Sequence, residues 1–212
     1  NEATLLRDRA RAAQALDAIS AESISRSGAG DAAIINEGQI TAREAGLVGL
    51  VAPHVENRGV IVAKTVQLAS GDTVVDLYGD GLLGIAVSGD IEQQIVRNSG
   101  EIQANGGTIA LTAADARGLV DSLITVEGRL DAPVINQEGG KILIEASGQN
   151  SQVNIANADI SATNSAEDPP PLPAKRPNIT VLAENISIQN STLDASGHAG
   201  GDVLVGGDYL GG

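Results

Sequence analysis

Four aspartates, Asp72, Asp76, Asp80 and Asp90, fall within 19 residues of one another. Carboxylates in pairs about 5 to 9 Å apart cleave glycosidic bonds, and six or more oxygens hold calcium. Asp76 alternates with aliphatic residues that face inward, and Asp72, Asp80 and Asp90 each follow a glycine, so the four read as outward and turn positions. Their spacing fits neither an EF-hand loop nor the GGxGxD calcium repeat, and the two tyrosines, Tyr78 and Tyr209, are a poor supply of platforms for sugar rings. A nucleophile relay would need histidine beside serine, but His54 and His198 are the two histidines and each reads as a solvated corner residue. Without cysteine they do not make up a zinc set. No GxxxxGK[ST] loop occurs, and the glycine pairs lead into strands instead of helices. The sequence therefore assigns no catalytic, metal or cofactor-binding residue, and a polysaccharide-active enzyme is the weakest reading.

The elements behind these residues are repetitive. Asn36-Glu37-Gly38-Gln39-Ile40-Thr41-Ala42, Asn57-Arg58-Gly59-Val60-Ile61-Val62-Ala63 and Asn98-Ser99-Gly100-Glu101-Ile102-Gln103-Ala104 share the pattern Asn-x-Gly-x-Ile-x-Ala. Its ending returns as Leu130-Asp131-Ala132, Ile160-Ser161-Ala162 and Leu193-Asp194-Ala195. The first two copies start 21 residues apart and the third 41 further on, which reads as one and two turns of a repeat of 20 to 21 residues. Glycine pairs at 106–107, 139–140 and 200–201 each open a second alternating strand. Period two places the Ile and Ala of each copy on one face and Thr41, Val62, Gln103, Asp131, Ser161 and Asp194 on the other. A unit this short buries its apolar face only by stacking on its neighbours. The expected fold is all-β, a solenoid of parallel strands of about eight rungs and about 35 to 40 Å. Asn36, Asn57 and Asn98 would stack at one corner with their amides bonded in a ladder, and the glycines after them would supply positive backbone angles.

Composition agrees with a narrow stacked core. Phe, Trp, Met and Cys are absent while hydrophobic residues make up 42%, which is too many in strict alternation for a disordered chain. Thirteen basic residues against 27 acids give a net charge of -14, which disfavours nucleic acid and anionic membranes as partners. No apolar run is long enough to span a bilayer. A start at Asn1 and a stop at Gly212 read as a piece processed or excised from something longer.

Residues 1–24 have no Gly or Pro, and Leu5, Ala12, Leu16 and Ile19 recur at helical offsets, so an N-terminal amphipathic helix is expected to flank or cap the solenoid. A Ser/Gly linker covers 25–31 and the β-helix 32–212. The apolar stretch 46–51 reads as a strand covered on both faces; residues 66–87 alternate like ladder strands; 91–96 reads as a short helical or irregular excursion, and 113–123 has a similar ambiguity. Five prolines in 164–178 forbid a ladder strand and predict an extruded, polyproline-like loop. Pro170-x-x-Pro173 with Lys175 and Arg176 has the form of an SH3 ligand, but a cytoplasmic signalling partner does not suit the rest of the chain.

The Asn-x-Gly-x-Ile-x-Ala copies, the Gly-Gly strands, the block 66–87 and the closing Gly200-Gly201-Asp202-Val203-Leu204-Val205-Gly206-Gly207-Asp208-Tyr209 resemble the filamentous-haemagglutinin-like exoproteins of Gram-negative bacteria. The likeness covers residues 32–212. It implies a right-handed parallel β-helix, export by two-partner secretion through an outer-membrane partner, and a rigid adhesive stalk at the cell surface, secreted and not an enzyme. A self-assembling extracellular filament, joined end to end, is the alternative. The family's secretion domain carries Asn-Pro-Asn near its start, and no Asn-Pro occurs here, so the segment belongs at the end of or beyond the region that the partner recognises. A host or matrix ligand is implied only in kind.

Overall fold

Strands of alternating aliphatic and polar residues pair edge to edge in a computed structural model that describes residues 32–42, 46–71, 75–76, 84–85, 93–114, 121–135, 138–148, 150–164, 176–198 and 200–207. The first rung is β1 (Ala33–Asn36), β2 (Gln39–Thr41) and β3 (Leu47–Val51), and the second is β4 (His54–Asn57), β5 (Val60–Val62) and β6 (Thr65–Gly71). A short hairpin of β7 (Val75–Asp76) and β8 (Gly84–Ile85) follows. The third rung is β9 (Gln93–Asn98), β10 (Glu101–Gln103) and β11 (Thr108–Ala114). The fourth is β12 (Asp121–Val126), β13 (Arg129–Asp131) and β16 (Lys141–Ser147), interrupted by the antiparallel pair β14 (Val134–Ile135) and β15 (Glu138–Gly139). β17 (Gln152–Ala156), β18 (Asp159–Ser161) and β19 (Asn178–Leu182) form the fifth rung, and β20 (Asn185–Gln189), β21 (Thr192–Asp194) and β22 (Asp202–Gly206) the sixth.

The first strands of all rungs make sheet A, the second strands sheet B and the third strands sheet C, each six-stranded and parallel. The described residues thus form a parallel β-helix of six rungs, not eight, about 24 Å along its axis at 4.8 Å per rung. The 41-residue interval accounts for one of the two missing rungs, and the other is lost because the later rungs are longer than 21 residues, with 28, 30 and 33 from Ile102 to Leu130, Ile160 and Leu193 in turn. Asn57 pairs directly with Asn98, so the interval holds one rung and an excursion through 72–92, not two rungs. The hairpin β7–β8 sits in that excursion, so the alternation of 75–85 does not extend the ladder.

Inward positions stack like on like. Ile40, Ile61, Ile102, Leu130, Ile160 and Leu193 run down sheet B, with Ala42, Ala63, Ala104, Ala132, Ala162 and Ala195 beside them where the chain turns toward sheet C. Val48, Val66, Ile109, Ile142, Ile179 and Val203 make a matching column in sheet C. In the middle rungs these side chains are buried, each Val, Leu or Ile contributing about 1.5 to 3 kcal/mol from burial and each Ala less. Small and branched side chains fill the narrow interior, which accounts for the lack of rings.

Several expectations change. Residues 93–98 are a ladder strand, not an excursion; Gln94 lies inward there, accepts a hydrogen bond from Ser122 Oγ at 3.1 Å, and so interrupts the apolar pattern that would have announced the strand. Ala113 and Ala114 close β11 and β12 begins at Asp121. Gly49 of β3 is exposed, so the stretch 46–51 is not covered on both faces. Asn164 bridges to Gly197, Asn164 N donates to Ser196 O at 2.9 Å, and Asn178 opens β19. The segment 165–175, which carries most of the prolines, lies outside the described residues, as do the helix expected at 1–24 and the linker 25–31.

Candidate interaction surface

The corner between sheets A and B is built from the repeated motif. Asn36 Nδ2 donates to Asn57 Oδ1 at 2.7 Å, and Asn57 Nδ2 to Asn98 Oδ1 at 2.7 Å. The ladder ends where Asn98 Nδ2 donates to Gly100 O at 3.1 Å, because the next residue in the column is Val126. Backbone bonds follow the same corner: Gly59 N reaches Asn36 O at 2.9 Å and Val60 N reaches Gly38 O at 2.9 Å. The glycines serve a different purpose from the expected one. Gly38, Gly59, Gly100 and Gly128 do not have positive φ. The last three are there for clearance, since a methyl on Gly59, Gly100 or Gly128 would lie 2.0, 2.1 or 2.0 Å from the carbonyl oxygen of the glycine in the rung before, whereas one on Gly38 in the first rung would meet nothing nearer than 4.0 Å.

Beside this corner the outer face of sheet A carries an alternating chain of charges. Glu56 Oε2 accepts from Arg58 Nη2 at 2.8 Å, and Arg58 Nη1 donates to Glu37 Oε1 at 2.8 Å. Arg97, paired with Glu56 in the ladder register, places Nε 3.8 Å from Glu56 Oε1 and 3.2 Å from Glu127 Oε2. Glu56 is only 5% exposed. The Arg58 guanidinium holds its carboxyl below the usual carboxylate range, outweighing burial, with Arg97 and His54 acting in the same direction. Arg58 is correspondingly held protonated by Glu56 and Glu37. Past Arg97 the same column continues as Thr125, Asn154 and Ser187.

Sheet B repeats the device within single strands, where residues two apart share a face. Gln103 Nε2 donates to Glu101 Oε1 at 2.9 Å, and Arg129 Nη2 to Asp131 Oδ2 at 3.2 Å. Lys64 pairs with Glu138 of β15 and lowers the pKa of that carboxyl. These faces can bind non-covalently through rows of amides, hydroxyls and paired charges spaced at the rung repeat.

Among the described residues, those weighed for chemistry are not assembled into a centre. Asp72, Asp80 and Asp90 lie outside the described residues, and Asp76 is a backbone partner of Gly84 in the hairpin. His54 is the first residue of β4, not a corner residue, with Nε2 4.0 Å from Glu56 Oε2. His198 is in a turn after β21, so the two histidines are four rungs apart, about 19 Å along the axis. Among the described residues no group of three or more His, Cys, Asp or Glu could hold a metal ion. The charge chain itself was missed by sequence reading, although Glu56 and Arg58 show the i, i+2 spacing of a strand face. Arg97 joins them only once the register across the 41-residue interval is known.

No protein-family model matches the chain. No solved structure matches it. The chain is 27% identical over 143 residues to a heme/hemopexin-binding protein of Haemophilus influenzae, an alignment that covers 64% of this chain and 15% of that protein.

Proposed function

We propose that this chain is a rigid structural segment of a secreted bacterial surface exoprotein of the two-partner, filamentous-haemagglutinin-like kind, and that it works by attachment and spacing, not catalysis. The observation that carries this reading is the stack of six rungs, in which sheets A, B and C each continue from end to end of the described β-helix. Such a stack resists bending and presents polar side chains at a fixed repeat on the outer faces of sheets A and B. The likeness to a much longer Haemophilus protein, of which 15% is matched, supports a role within a larger molecule. That protein is named for binding heme and hemopexin, and a host or matrix glycoprotein is the partner class that a flat, hydrogen-bonding face of this kind fits. An outer-membrane secretion partner and an extracellular location follow from the same reading.

The test is binding of the purified chain, immobilised on beads, to host cells, matrix glycoproteins and hemopexin. Saturable binding that weakens when Arg129 and Asp131 are both changed to alanine supports an attachment face. Beads that bind none of these ligands would overturn it, and release of sugars from polysaccharide would overturn the non-catalytic part.

A further inference from the structure

Asn105-Gly106 is the one Asn-Gly pair in the chain. Asparagine is a labile residue, and it loses its amide fastest before glycine, which has no side chain to hinder ring closure. The glycine backbone nitrogen attacks the asparagine Cγ, the Nδ2 group leaves as ammonia, and a five-membered imide remains. Water then opens the imide at either carbonyl, giving aspartate or isoaspartate, in which the main chain runs through the side-chain carboxyl. Amide and water become acid and ammonia, with no change of oxidation state.

Asn105 is exposed, in the turn between β10 and β11, which Gly107 N closes on Ala104 O at 2.9 Å with Gly106 at φ 64°. The attacking atom is not exposed. Gly106 is buried, and its N–H donates to Pro133 O at 3.0 Å, where the insert β14–β15 begins. An amide must lose its proton to attack, and a proton held by a buried carbonyl is out of reach of hydroxide. Both strands of the insert lie on the turn. A methyl on Gly106 would come 3.3 Å from Ile135 Cβ of β14, and one on Gly139 of β15 would come 2.2 Å from both Gly106 C and Gly107 N. The insert is also tied to the rungs on either side. Val134 N donates to Thr163 O of the fifth rung at 2.8 Å, and Glu138 pairs with Lys64 of the second. Neither Val134 nor Ile135 belongs to the core of the β-helix, and Ile135 is 44% exposed, so the insert is not there to fill the interior.

We propose that Asn105 is a latent deamidation site and that the insert β14–β15 is the guard that keeps it closed, by covering the turn and holding the Gly106 N–H. Isoaspartate at 105 would add a backbone atom to a turn fixed between two ladder strands, so the guard protects the register of sheets B and C at the third rung. The proposal stands independently of the attachment reading.

The test is incubation of the full chain in mildly alkaline buffer, folded and in urea, with peptide mapping by mass spectrometry to follow aspartate and isoaspartate at 105. Conversion in urea should outpace that in the folded chain by more than about tenfold. Glu138→Lys, an exposed substitution that sets like charges against Lys64, should speed conversion in the folded chain about threefold, the size of one exposed ion pair. Gly139→Ala, which drives a methyl into the turn, should speed it further. Both variants should keep the circular dichroism spectrum of the parent. Asn150, exposed and followed by Ser151, is the internal reference and should convert at one rate in all three folded proteins. Equal rates at 105 in folded and unfolded chains, folded variants no faster than the parent, or an equal acceleration at Asn150 would each overturn the proposal.

Discussion

The first four rungs and the last two turn the corner between sheets A and B differently. Four residues separate Asn36 from Ile40, Asn57 from Ile61, Asn98 from Ile102 and Val126 from Leu130, whereas five separate Ile155 from Ile160 and Ile188 from Leu193. The short corner uses a stacked glycine for clearance. The longer one has no glycine and absorbs its additional residue in a left-handed asparagine, Asn157 at φ 53° and Asn190 at φ 48°. Asparagine tolerates that conformation better than most residues with a side chain. The hydroxyl of Ser191 then takes a bond from Ala158 N at 3.1 Å, replacing part of the backbone pairing of the tighter corner. One architecture therefore has two local solutions, one set by space and the other by backbone angle.

Substitutions separate these two causes. Gly100→Ala forces a methyl against Gly59 O and should cost about 3 kcal/mol in urea unfolding; a loss under about 0.5 kcal/mol would mean that clearance is not what the short corner needs. Asn57→Ala breaks both ladder bonds and strands buried amide groups on Asn36 and Asn98, with an expected cost of about 2 kcal/mol. At the long corner Asn157→Ala should cost about 1 kcal/mol and Asn157→Gly close to nothing, and equal losses for the two would break the distinction. The smallest effect is electrostatic. Glu56 has a depressed pKa when folded, so its contribution is present above the unfolded carboxylate pKa of about 4.5 and disappears as the pH falls through the lower folded value. Melting temperatures from pH 7 to pH 3 should show an acid-side decline that Glu56→Gln makes shallower; identical profiles would remove Glu56 from the account.

The columns of Ile40, Ile61 and Ile102 and the asparagine ladder were legible in sequence because the motif fixes both the facing and the register of its own copies. Rung number was not, because an excursion of 21 residues, 72–92, has the length of a rung, and length alone does not tell one from the other. The need for glycine at 59 and 100 was visible, but a sequence does not say whether glycine is wanted for angle or for space. β9 was obscured by Gln94, a polar residue facing inward whose partner, Ser122, is 28 residues away. The interaction surface was hidden for the same reason, since Glu56, Arg97 and Glu127 become neighbours only through the register.

The corner between sheets A and B never departs from its length by more than one residue, whereas the passage from sheet C back to sheet A already carries the 21 residues between Gly71 and Gln93. One edge of the rod is therefore a fixed spine, and the passage after β6 is a ready site for grafting. A foreign peptide of comparable length placed there could be displayed without altering the rung spacing on either side, which would make this chain a ruler with replaceable markings.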